Sequence, residues 1–206
     1  MPLIWTSLQE DLKLGVWSIE EGEEAFADFY QWVDANLHPT RKIQQLACRA
    51  LLHELDPSFP FEQYGLGQNG KPLLLNGYCH FNLSHTTQYA AAIVSNSKAV
   101  GIDAERISDR VLRVQKKFLH NTELHFLSSL PPSLEVSYAT MFWCIKEAVY
   151  KWWGKGGLDF ADDIRIVPPA KEHQSTIAVS LKTIPGMPLQ LNCFQLEDHW
   201  IAYLAH

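Results

Sequence analysis

The chain has 206 residues, of which 47% are hydrophobic and 19% are charged, proportions close to those of ordinary globular proteins. This composition excludes a disordered chain, a collagen-like repeat and a coiled-coil rod. The 23 acidic residues outnumber the 17 basic ones and give a formal charge of −6, whereas a general nucleic-acid binder is normally strongly basic. An anion would therefore have to bind a local cluster of cations.

The cysteine spacing and the hydropathy pattern point to a cytoplasmic protein. The four cysteines lie far apart without a C-x-x-C pair, so zinc-site spacing is absent and we interpret them as buried free thiols. No secretory signal pattern is visible, and no apolar stretch approaches the ~20 residues that span a bilayer. We expect neither a membrane nor a nucleic acid as partner.

Helical periodicity predicts two helices early in the chain. Phe26, Phe29, Tyr30 and Val33 share one face of the first, predicted over Glu21–Leu37. Thr40 follows a His-Pro break and can cap a second helix over Arg41–Leu55. Residues 56–77 are rich in Pro, Gly and Asn, which is typical of a loop region.

The rest of the chain alternates short strands with helices. Three β-like segments come first: Tyr78–Leu83, Tyr89–Val94 and Ala99–Ala104. A short helix over Phe118–Leu130, with Asn121 or Thr122 as its cap, precedes the longest helix, Leu134–Trp153, which Gly154 can end in a left-handed cap. Three more strands are predicted near the end: Thr176–Leu181, Leu189–Gln195 and Trp200–Leu204.

A faint internal similarity favours two related halves. Leu14–Glu20 is similar to Val100–Glu105, and each segment precedes a helical region. We therefore predict an α+β fold with an N-terminal α+β half over residues 1–98 and a C-terminal α+β half over residues 99–206, the second carrying the metal site proposed below.

The first chemical motif is Gly101-Ile102-Asp103-Ala104-Glu105. Positions two apart on a strand point to the same side, so Asp103 and Glu105 place two carboxylates on one face. Adjacent carboxylates repel each other, and a hard divalent cation such as Mg²⁺ is the natural neutraliser. The alternative is an exposed polar face of an edge strand.

The second motif lies on the longest predicted helix, in the segment from Phe142 to Lys151. Glu147 and Lys151 are neighbours at i and i+4, away from the apolar stripe. They could form an ordinary surface pair worth ~0.3–0.5 kcal/mol. Alternatively, Glu147 supplies a third carboxylate to the metal and Lys151 binds a phosphate beside it.

The third motif joins Asn69-Gly70-Lys71-Pro72 to the segment from Phe81 to Thr86. Lys71 sits on a rigid Gly-Pro turn, and Ser84 with His85 ends a strand, where side chains can meet a ligand. No acid is placed to complete a hydrolase triad, and no G-x-S-x-G turn occurs. The alternative for the Ser-His pair is that it only stabilises the turn after the strand. The alternative for Arg49 is that it belongs to a solvated helix face.

Taken in chain order, GKP, FNLSHT, GIDAE and FWCIKEAVYK resemble the motifs of the 4′-phosphopantetheinyl transferase superfamily. The resemblance covers about residues 40–157, and the position of GIDAE within the chain resembles the longer, surfactin-type branch. It implies two similar α+β halves, each a small, mainly antiparallel sheet packed with a long helix. A pseudo-twofold axis would relate the halves, so a monomer is expected.

The resemblance also implies a reaction and its partners. Members of this family move 4′-phosphopantetheine from coenzyme A to a serine of an apo acyl or peptidyl carrier protein and release adenosine 3′,5′-bisphosphate. The implied cofactor is Mg²⁺, for which Mn²⁺ could substitute, and coenzyme A is a substrate. A non-catalytic module that binds coenzyme A or a nucleotide is the alternative function, and a metal-dependent phosphohydrolase is a third possibility.

Residue by residue, the resemblance assigns the following roles. Asp103, Glu105 and Glu147 correspond to metal ligands, and Glu147, Lys151 and Asp103 form the expected catalytic set. Coenzyme A is expected to contact Arg49, Lys71, Ser84, His85 and Lys151, with Arg49 at its 3′-phosphate and Lys151 at its diphosphate. We hypothesise that Glu147, or a water that it holds, accepts the proton of the carrier serine. The cations Arg110, Arg113, Lys116 and Lys117 are candidates for docking an acidic carrier, or they form a solvated helix face.

Overall fold

The structure, a computed structural model, describes residues 3–67, 70–170 and 174–206. They form antiparallel strands and packed helices, which confirms the predicted α+β class. The strands are β1 (Leu3–Leu8), β2 (Leu12–Ser18), β3 (Tyr64–Leu66), β4 (Pro72–Leu74), β5 (His80–His85), β6 (Tyr89–Ser95), β7 (Val100–Arg106), β8 (Ile164–Ile166), β9 (Thr176–Leu181), β10 (Leu189–Leu196) and β11 (His199–Ala205). The α-helices are α1 (Pro39–Leu55), α2 (Arg110–Val114), α3 (Asn121–Ser128) and α4 (Pro132–Trp153).

The strands form two main sheets. One has the order β1-β2-β6-β5, the other has the order β7-β11-β10-β9-β8, and β3 with β4 forms a separate hairpin. Neighbouring strands are antiparallel throughout both main sheets. The first sheet uses residues 3–95 and the second uses residues 100–205. The division into halves at residue 98, and the pseudo-twofold relation between them, stay predictions.

Each sheet packs against one long helix, and the two sheets also share a core. Helix α1 lies on β6 and β2, and α4 lies on β7 and β11. Leu14, Ile93, Ile102 and Ile201, all at most 1% exposed, belong to the core between the sheets. Burial of such side chains contributes roughly 1.5–3 kcal/mol each, so the shared core fixes the two sheets against each other.

Helix α4 approaches strand β7 closely because Gly101 has no side chain. A Cβ atom built on Gly101 would lie 2.2 Å from the carbonyl oxygen of Ala148 and 2.8 Å from the Cβ atom of Trp152. No real Cβ tolerates the shorter contact, so any other residue would push the helix away. The glycine therefore brings α4 and its polar residues onto the strand that carries Asp103.

Several predicted elements need correction. Glu23–Trp32 forms 3₁₀ helix with a break at Phe26 (φ −111°, ψ 21°), so the α-helix predicted over Glu21–Leu37 is wrong. His120 caps α3 through its side chain, with Glu123 completing the capping box, in place of Asn121 or Thr122. Strands β1 and β2 were not predicted, and the loop region 56–77 contains a turn of 3₁₀ helix and the β3–β4 hairpin.

The predictions for the end of α4 and for the cysteines are confirmed. Gly154 ends α4 in the left-handed conformation, with φ of 66°. All four cysteines are free and buried. In the described chain, no helix combines the length and the apolar character that crossing a membrane requires.

Candidate active site

The two main sheets meet at their edge strands, β5 and β7, and side chains join them. The Oδ1 atom of Asn82 accepts a hydrogen bond of 3.1 Å from the backbone N–H of Ile102, and the Oγ atom of Ser84 accepts one of 3.2 Å from that of Ala104. Asn82 is 3% exposed and Ser84 is 7% exposed. We call this pair of contacts the seam.

Asp103 lies at the seam, almost wholly buried. Its Oδ1 atom accepts hydrogen bonds from the Ser84 hydroxyl, at 2.8 Å, and from the Lys151 ammonium, at 2.6 Å. Its Oδ2 atom is buried without any hydrogen-bond partner among the described residues. A buried carboxylate oxygen without a partner is costly. Asp103 therefore has one oxygen that is hydrogen-bonded and one that still lacks a partner among the described residues.

Lys151 reaches the seam from α4. Besides Asp103, its Nζ atom donates to the Ser84 hydroxyl at 3.0 Å and to the carbonyl oxygen of Leu83 at 3.4 Å. Burial disfavours the ammonium charge, but the Asp103 carboxylate outweighs it and the pKa of Lys151 is raised. Lys151 is therefore a fixed positive charge, and the surface-pair alternative does not describe it.

Glu105 and Glu147 complete the acidic group. The indole N–H of Trp143 donates to Oε1 of Glu105 at 2.9 Å. Burial, followed by the charge of Asp103, raises the pKa of Glu105 to about 7. The same two causes, in the same order, raise the pKa of Glu147 to about 7. The three carboxylates are thus close enough to act on one another electrostatically.

The described residues do not form a closed metal site in this arrangement: within residues 3–67, 70–170 and 174–206, no three His, Cys, Asp or Glu side chains are placed to hold an ion together. The donor chemistry nevertheless fits a hard cation, because carboxylate oxygens are the ligands that Mg²⁺ prefers and the Oδ2 atom of Asp103 has no hydrogen-bond partner in the described part of the chain. The predicted magnesium site stays a prediction.

A cavity of about 220 Å³ opens beside Lys151, and Lys71, Asn82 and Gly154 contribute to its lining. The Nζ atom of Lys71 donates to the carbonyl oxygen of Trp152 at 3.2 Å, near the end of α4, and burial lowers the pKa of Lys71. The β3–β4 hairpin therefore brings a second cation to the end of the helix that carries Lys151. The predicted contribution of Asn69 lies outside the described residues.

His85 and Arg49 lie on the same side of the first sheet. Burial, then the charges of Lys151 and Arg41, lower the pKa of His85. Arg49 is only 5% exposed and its guanidinium stacks 4.0 Å from the centre of the Tyr64 ring. The alternative of a solvated face for Arg49 is therefore wrong. Its Nε atom is buried without a partner among the described residues, which leaves a donor for an anion or for water.

A buried ion pair supports the wall of the site. Lys146 and Glu123 are both fully buried, with Nζ and Oε2 2.7 Å apart. Lys146 also donates to the carbonyl oxygens of Phe160 and Ile164. Because Phe160 packs against Trp143 with ring centroids 5.5 Å apart, the pair holds the segment that lies against the indole bonded to Glu105.

Sequence reasoning missed Asn82 and this ion pair. Asn82 could have been found, because it stands two residues before Ser84 and therefore points to the same side of β5. Lys146 is adjacent to Glu147 in the motif, but its partners are Glu123 on α3 and the carbonyl oxygens of Phe160 and Ile164 beyond the end of α4. Hydrogen bonds join three of the expected site residues to one another: Ser84, Asp103 and Lys151.

A sequence model of the 4′-phosphopantetheinyl transferase superfamily matches residues 99–204, about half of the chain. The chain belongs to this superfamily. Among its relatives, the 4′-phosphopantetheinyl transferase gsp of Aneurinibacillus migulanus is 38% identical over 87 residues, which are 42% of this chain and 36% of that protein. A 4′-phosphopantetheinyl transferase of Bacillus subtilis is 29% identical over 149 residues, 72% of this chain and 65% of that protein.

A third relative, the 4′-phosphopantetheinyl transferase Sfp of Bacillus subtilis (strain 168), is 27% identical over 140 residues, 66% of this chain and 60% of that protein. The chain thus spans between 36% and 65% of the length of these relatives. The similarity to Sfp and gsp supports the predicted longer, surfactin-type branch of the superfamily.

Proposed function

We propose that the protein transfers 4′-phosphopantetheine from coenzyme A to a serine of an apo acyl or peptidyl carrier protein, in a reaction that requires Mg²⁺. The observation that carries this proposal is Asp103, buried at the seam with one oxygen hydrogen-bonded to Lys151 and the other without a hydrogen-bond partner among the residues that the structure describes. The activity for which the relatives are named supports it.

Asp103, Glu105 and Glu147 would hold the metal ion. When bound, Mg²⁺ supplies positive charge to the diphosphate oxygens and to the departing phosphate. A carboxylate set of this kind suits a hard cation with oxygen ligands. Trp143 holds Glu105 in place through its indole N–H, which fixes one of the three donors before any ion arrives.

Lys151 and Lys71 are the proposed cations for the diphosphate. A single charge pair at ~4 Å is worth about 4 kcal/mol gross at an effective dielectric of 20. Lys151 can release its contact with Leu83, the longest of its three hydrogen bonds at 3.4 Å, to donate to a phosphate oxygen. His85 and Arg49 would contact the remaining phosphate groups of coenzyme A, with Arg49 at the 3′-phosphate.

The reaction exchanges one P–O bond for another. The carrier serine oxygen bonds to the β-phosphorus of coenzyme A, the bond from that phosphorus to the bridging oxygen breaks, and adenosine 3′,5′-bisphosphate leaves with that oxygen. The serine proton passes to Glu147 or to a water that Glu147 holds. Full activity of Glu147→Gln with its metal site occupied, across a pH–rate profile, would contradict the base role.

The proposed function is tested by mixing the protein with apo carrier protein, coenzyme A and Mg²⁺ and measuring the intact mass of the carrier. A gain of one phosphopantetheine group, abolished by EDTA, is expected. Release of free phosphate without that gain would favour a phosphohydrolase. Tight coenzyme A binding without either product would favour a non-catalytic module.

The docking of the carrier is assigned to the exposed cations of the α2 region. The groove beside Glu105 has a volume of about 940 Å³, and Arg106, Arg110 and Val114 contribute to its lining. Because the enzyme has a net charge of −6, only a local basic patch can attract an acidic carrier. Charge reversal at Arg113 and Lys116 should raise the KM for the carrier and leave coenzyme A affinity unchanged. Unchanged carrier kinetics would contradict this docking surface.

We also propose that the protein works as a monomer in which both halves contribute to one site. Lys71 and Ser84 come from the part before residue 98, while Asp103 and Lys151 come from the part after it. Sedimentation at working concentration tests this proposal, and a stable dimer would contradict it. A cytoplasmic location stays a prediction from the sequence.

A further inference from the structure

We propose that Tyr64 is a positioning residue for coenzyme A: its ring holds the Arg49 guanidinium so that the N–H groups of that cation meet the 3′-phosphate. Tyr64 thereby determines how well the protein distinguishes coenzyme A from 3′-dephospho-coenzyme A. This inference rests on the proposed function, which assigns Arg49 to the 3′-phosphate. The contact between α1 and the β3–β4 hairpin carries it.

Arg49 carries a buried positive charge that no described acidic side chain neutralises. The residue is only 5% exposed, and in the described part of the chain no carboxylate forms a salt bridge with it. Its Nε atom is also buried without a hydrogen-bond partner there. A buried charge without a partner is costly, so this arrangement favours an anionic ligand at Arg49.

Tyr64 is the side chain that orients this cation. The guanidinium carbon of Arg49 lies over the Tyr64 ring, 4.0 Å from its centre, a distance typical of a guanidinium that lies flat on an aromatic face. Burial raises the pKa of the Tyr64 hydroxyl, although the charge of Arg49 opposes the shift, so the phenol stays neutral. The N–H donors in the guanidinium plane then remain for the paired hydrogen bonds that a phosphate accepts.

The fold holds the Tyr64 ring in place. The ring packs on Phe81 of β5 with centroids 5.6 Å apart, and Tyr64 pairs across the hairpin with Leu74, whose side chain is buried. The same hairpin carries Lys71, whose Nζ atom donates to a backbone carbonyl at the end of α4. The hairpin therefore fixes two proposed phosphate ligands, Arg49 and Lys71, relative to each other.

Nucleotide binding tests the inference without any transfer reaction. Adenosine 3′,5′-bisphosphate and adenosine 5′-monophosphate differ only in the 3′-phosphate, and titration calorimetry measures the affinity for each. The wild type should prefer the bisphosphate. Tyr64→Leu should weaken bisphosphate binding by about tenfold, because a charge-assisted contact loses its alignment, and should leave monophosphate binding unchanged. No preference in the wild type, or equal losses for both nucleotides in Tyr64→Leu, would overturn the proposal whether or not the protein transfers phosphopantetheine.

Two further variants separate the stacking from general packing. Tyr64→Phe retains the ring and should retain the preference for the bisphosphate. Tyr30→Leu is the matched control, because the Tyr30 ring also lies under a cation of α1, the Nζ atom of Lys42 at 5.3 Å, but is 40% exposed. It should leave both affinities unchanged. A lost preference in Tyr64→Phe, or the same loss in Tyr30→Leu, would contradict the role given to the Tyr64 ring.

Steady-state kinetics distinguish positioning from a structural defect. Tyr64→Leu should raise the KM for coenzyme A by about tenfold and keep kcat within about twofold, since the 3′-phosphate is remote from the reacting phosphorus and its contact contributes equally before and during the reaction. The KM for 3′-dephospho-coenzyme A should not change. Lys71→Met should raise the KM for both substrates, because both carry the diphosphate. If Tyr64→Leu lowers kcat with both substrates, Tyr64 supports the fold and the inference fails.

Tyr64 and Arg49 should also be coupled. If the ring acts through the guanidinium, adding Tyr64→Leu to Arg49→Met should weaken bisphosphate binding no further. If Tyr64→Leu does not fold, Arg49→Lys still tests the inference, since it keeps the charge but has no planar group to lie on the ring; it should lose most of the preference for the bisphosphate. Strictly multiplicative losses in the double variant, or a full preference in Arg49→Lys, would overturn the proposal.

Discussion

The first part of the molecule consists of the first sheet with α1, and the second part consists of the second sheet with α4. In each part a long helix packs closely on a strand at a glycine, yet only the second part carries the acids. In β2, Gly15 lies under α1, where a built Cβ would meet the side chain of Leu51 at 2.8 Å; in β7, Gly101 lies under α4. When Leu14–Glu20 is placed on Val100–Glu105, Trp17 corresponds to Asp103 and Ile19 to Glu105.

The corresponding positions are apolar and serve packing in the first part, and they are acidic and belong to the candidate site in the second part. Trp17 and Ile19 pack against the core beneath α1, whereas Asp103 and Glu105 hold carboxylates beside α4. The same helix-on-sheet arrangement thus occurs with apolar side chains at these positions in one part and with hydrogen-bonded acids in the other. The proposed diphosphate site draws its cations from both parts: Lys151 from α4 and Lys71 from the β3–β4 hairpin.

The largest expected contrast is between the ion pairs of the two helices. Lys146→Met should lower the free energy of unfolding by about 3–5 kcal/mol, because it leaves Glu123 charged and fully buried. Lys42→Met removes the partly exposed ion pair between Lys42 of α1 and Glu23 of the preceding 3₁₀ helix. It should lower the free energy of unfolding by at most about 1 kcal/mol. Urea unfolding measures both. Equal losses, or no recovery when Glu123→Leu is added to Lys146→Met, would contradict the role given to burial.

Substitutions at corresponding positions of β2 and β7 should differ sharply in their effect on activity. Asp103→Asn should lower the rate of phosphopantetheine transfer by about 10²–10³-fold, the range seen when a charge-stabilising group is lost. Trp17→Leu should leave kcat within about twofold and cost stability alone, about 0.5–3 kcal/mol. The intact-mass assay and thermal unfolding measure the two effects. Comparable losses of kcat would show that the first part also shapes the reacting centre.

Much of the fold could be predicted because its strongest elements repeat apolar residues at a clear period. The long helix predicted over Leu134–Trp153 is observed over Pro132–Trp153, and the strand predicted over Thr176–Leu181 is observed with the same bounds. Strand β2 was missed because it is buried on both sides, under α1 and against the second sheet, which removes the alternation that identifies a half-exposed strand.

The candidate site was predictable where neighbours in sequence are neighbours in space. Asp103 with Glu105, and Glu147 with Lys151, follow from the periods of strand and helix. The partners of Asn82 and the stacking of Arg49 on Tyr64 join segments whose approach depends on tertiary packing. Periodicity does not report such contacts, so the hydrogen bonds around Asp103 are visible only in the fold.

The two glycines under the helices should tolerate substitution differently. Gly101→Ala should destabilise the protein by about 1–3 kcal/mol, because the new methyl group meets the backbone oxygen of Ala148. Gly15→Ala should cost less, since the nearest atom belongs to the flexible Leu51 side chain. Gly101→Ala should also lower kcat by shifting α4, and Gly15→Ala should not. If Gly15→Ala proves the more harmful in both measurements, the close approach of Gly101 to the Ala148 carbonyl oxygen does not set the position of α4.

The smallest expected effect is the pH dependence of stability from His199, which joins the two parts. His199 is fully buried beside Thr86 and Tyr89, and burial, against the opposing charge of Asp198, lowers its pKa below the ordinary 6.5. The folded state then binds fewer protons than the unfolded state, so this contribution is complete above pH 6.5 and is lost as the pH falls, by at most about 1.4 kcal/mol per pH unit.

Urea unfolding between pH 7.5 and 5.5 measures how steeply the free energy of unfolding depends on pH. The slope should be flatter for His199→Gln than for the wild type, while His53→Gln, at an exposed position of α1, should keep the wild-type slope. Parallel curves for wild type and His199→Gln would mean that His199 is free to take up a proton in the folded protein, and that its burial does not hold the imidazole neutral.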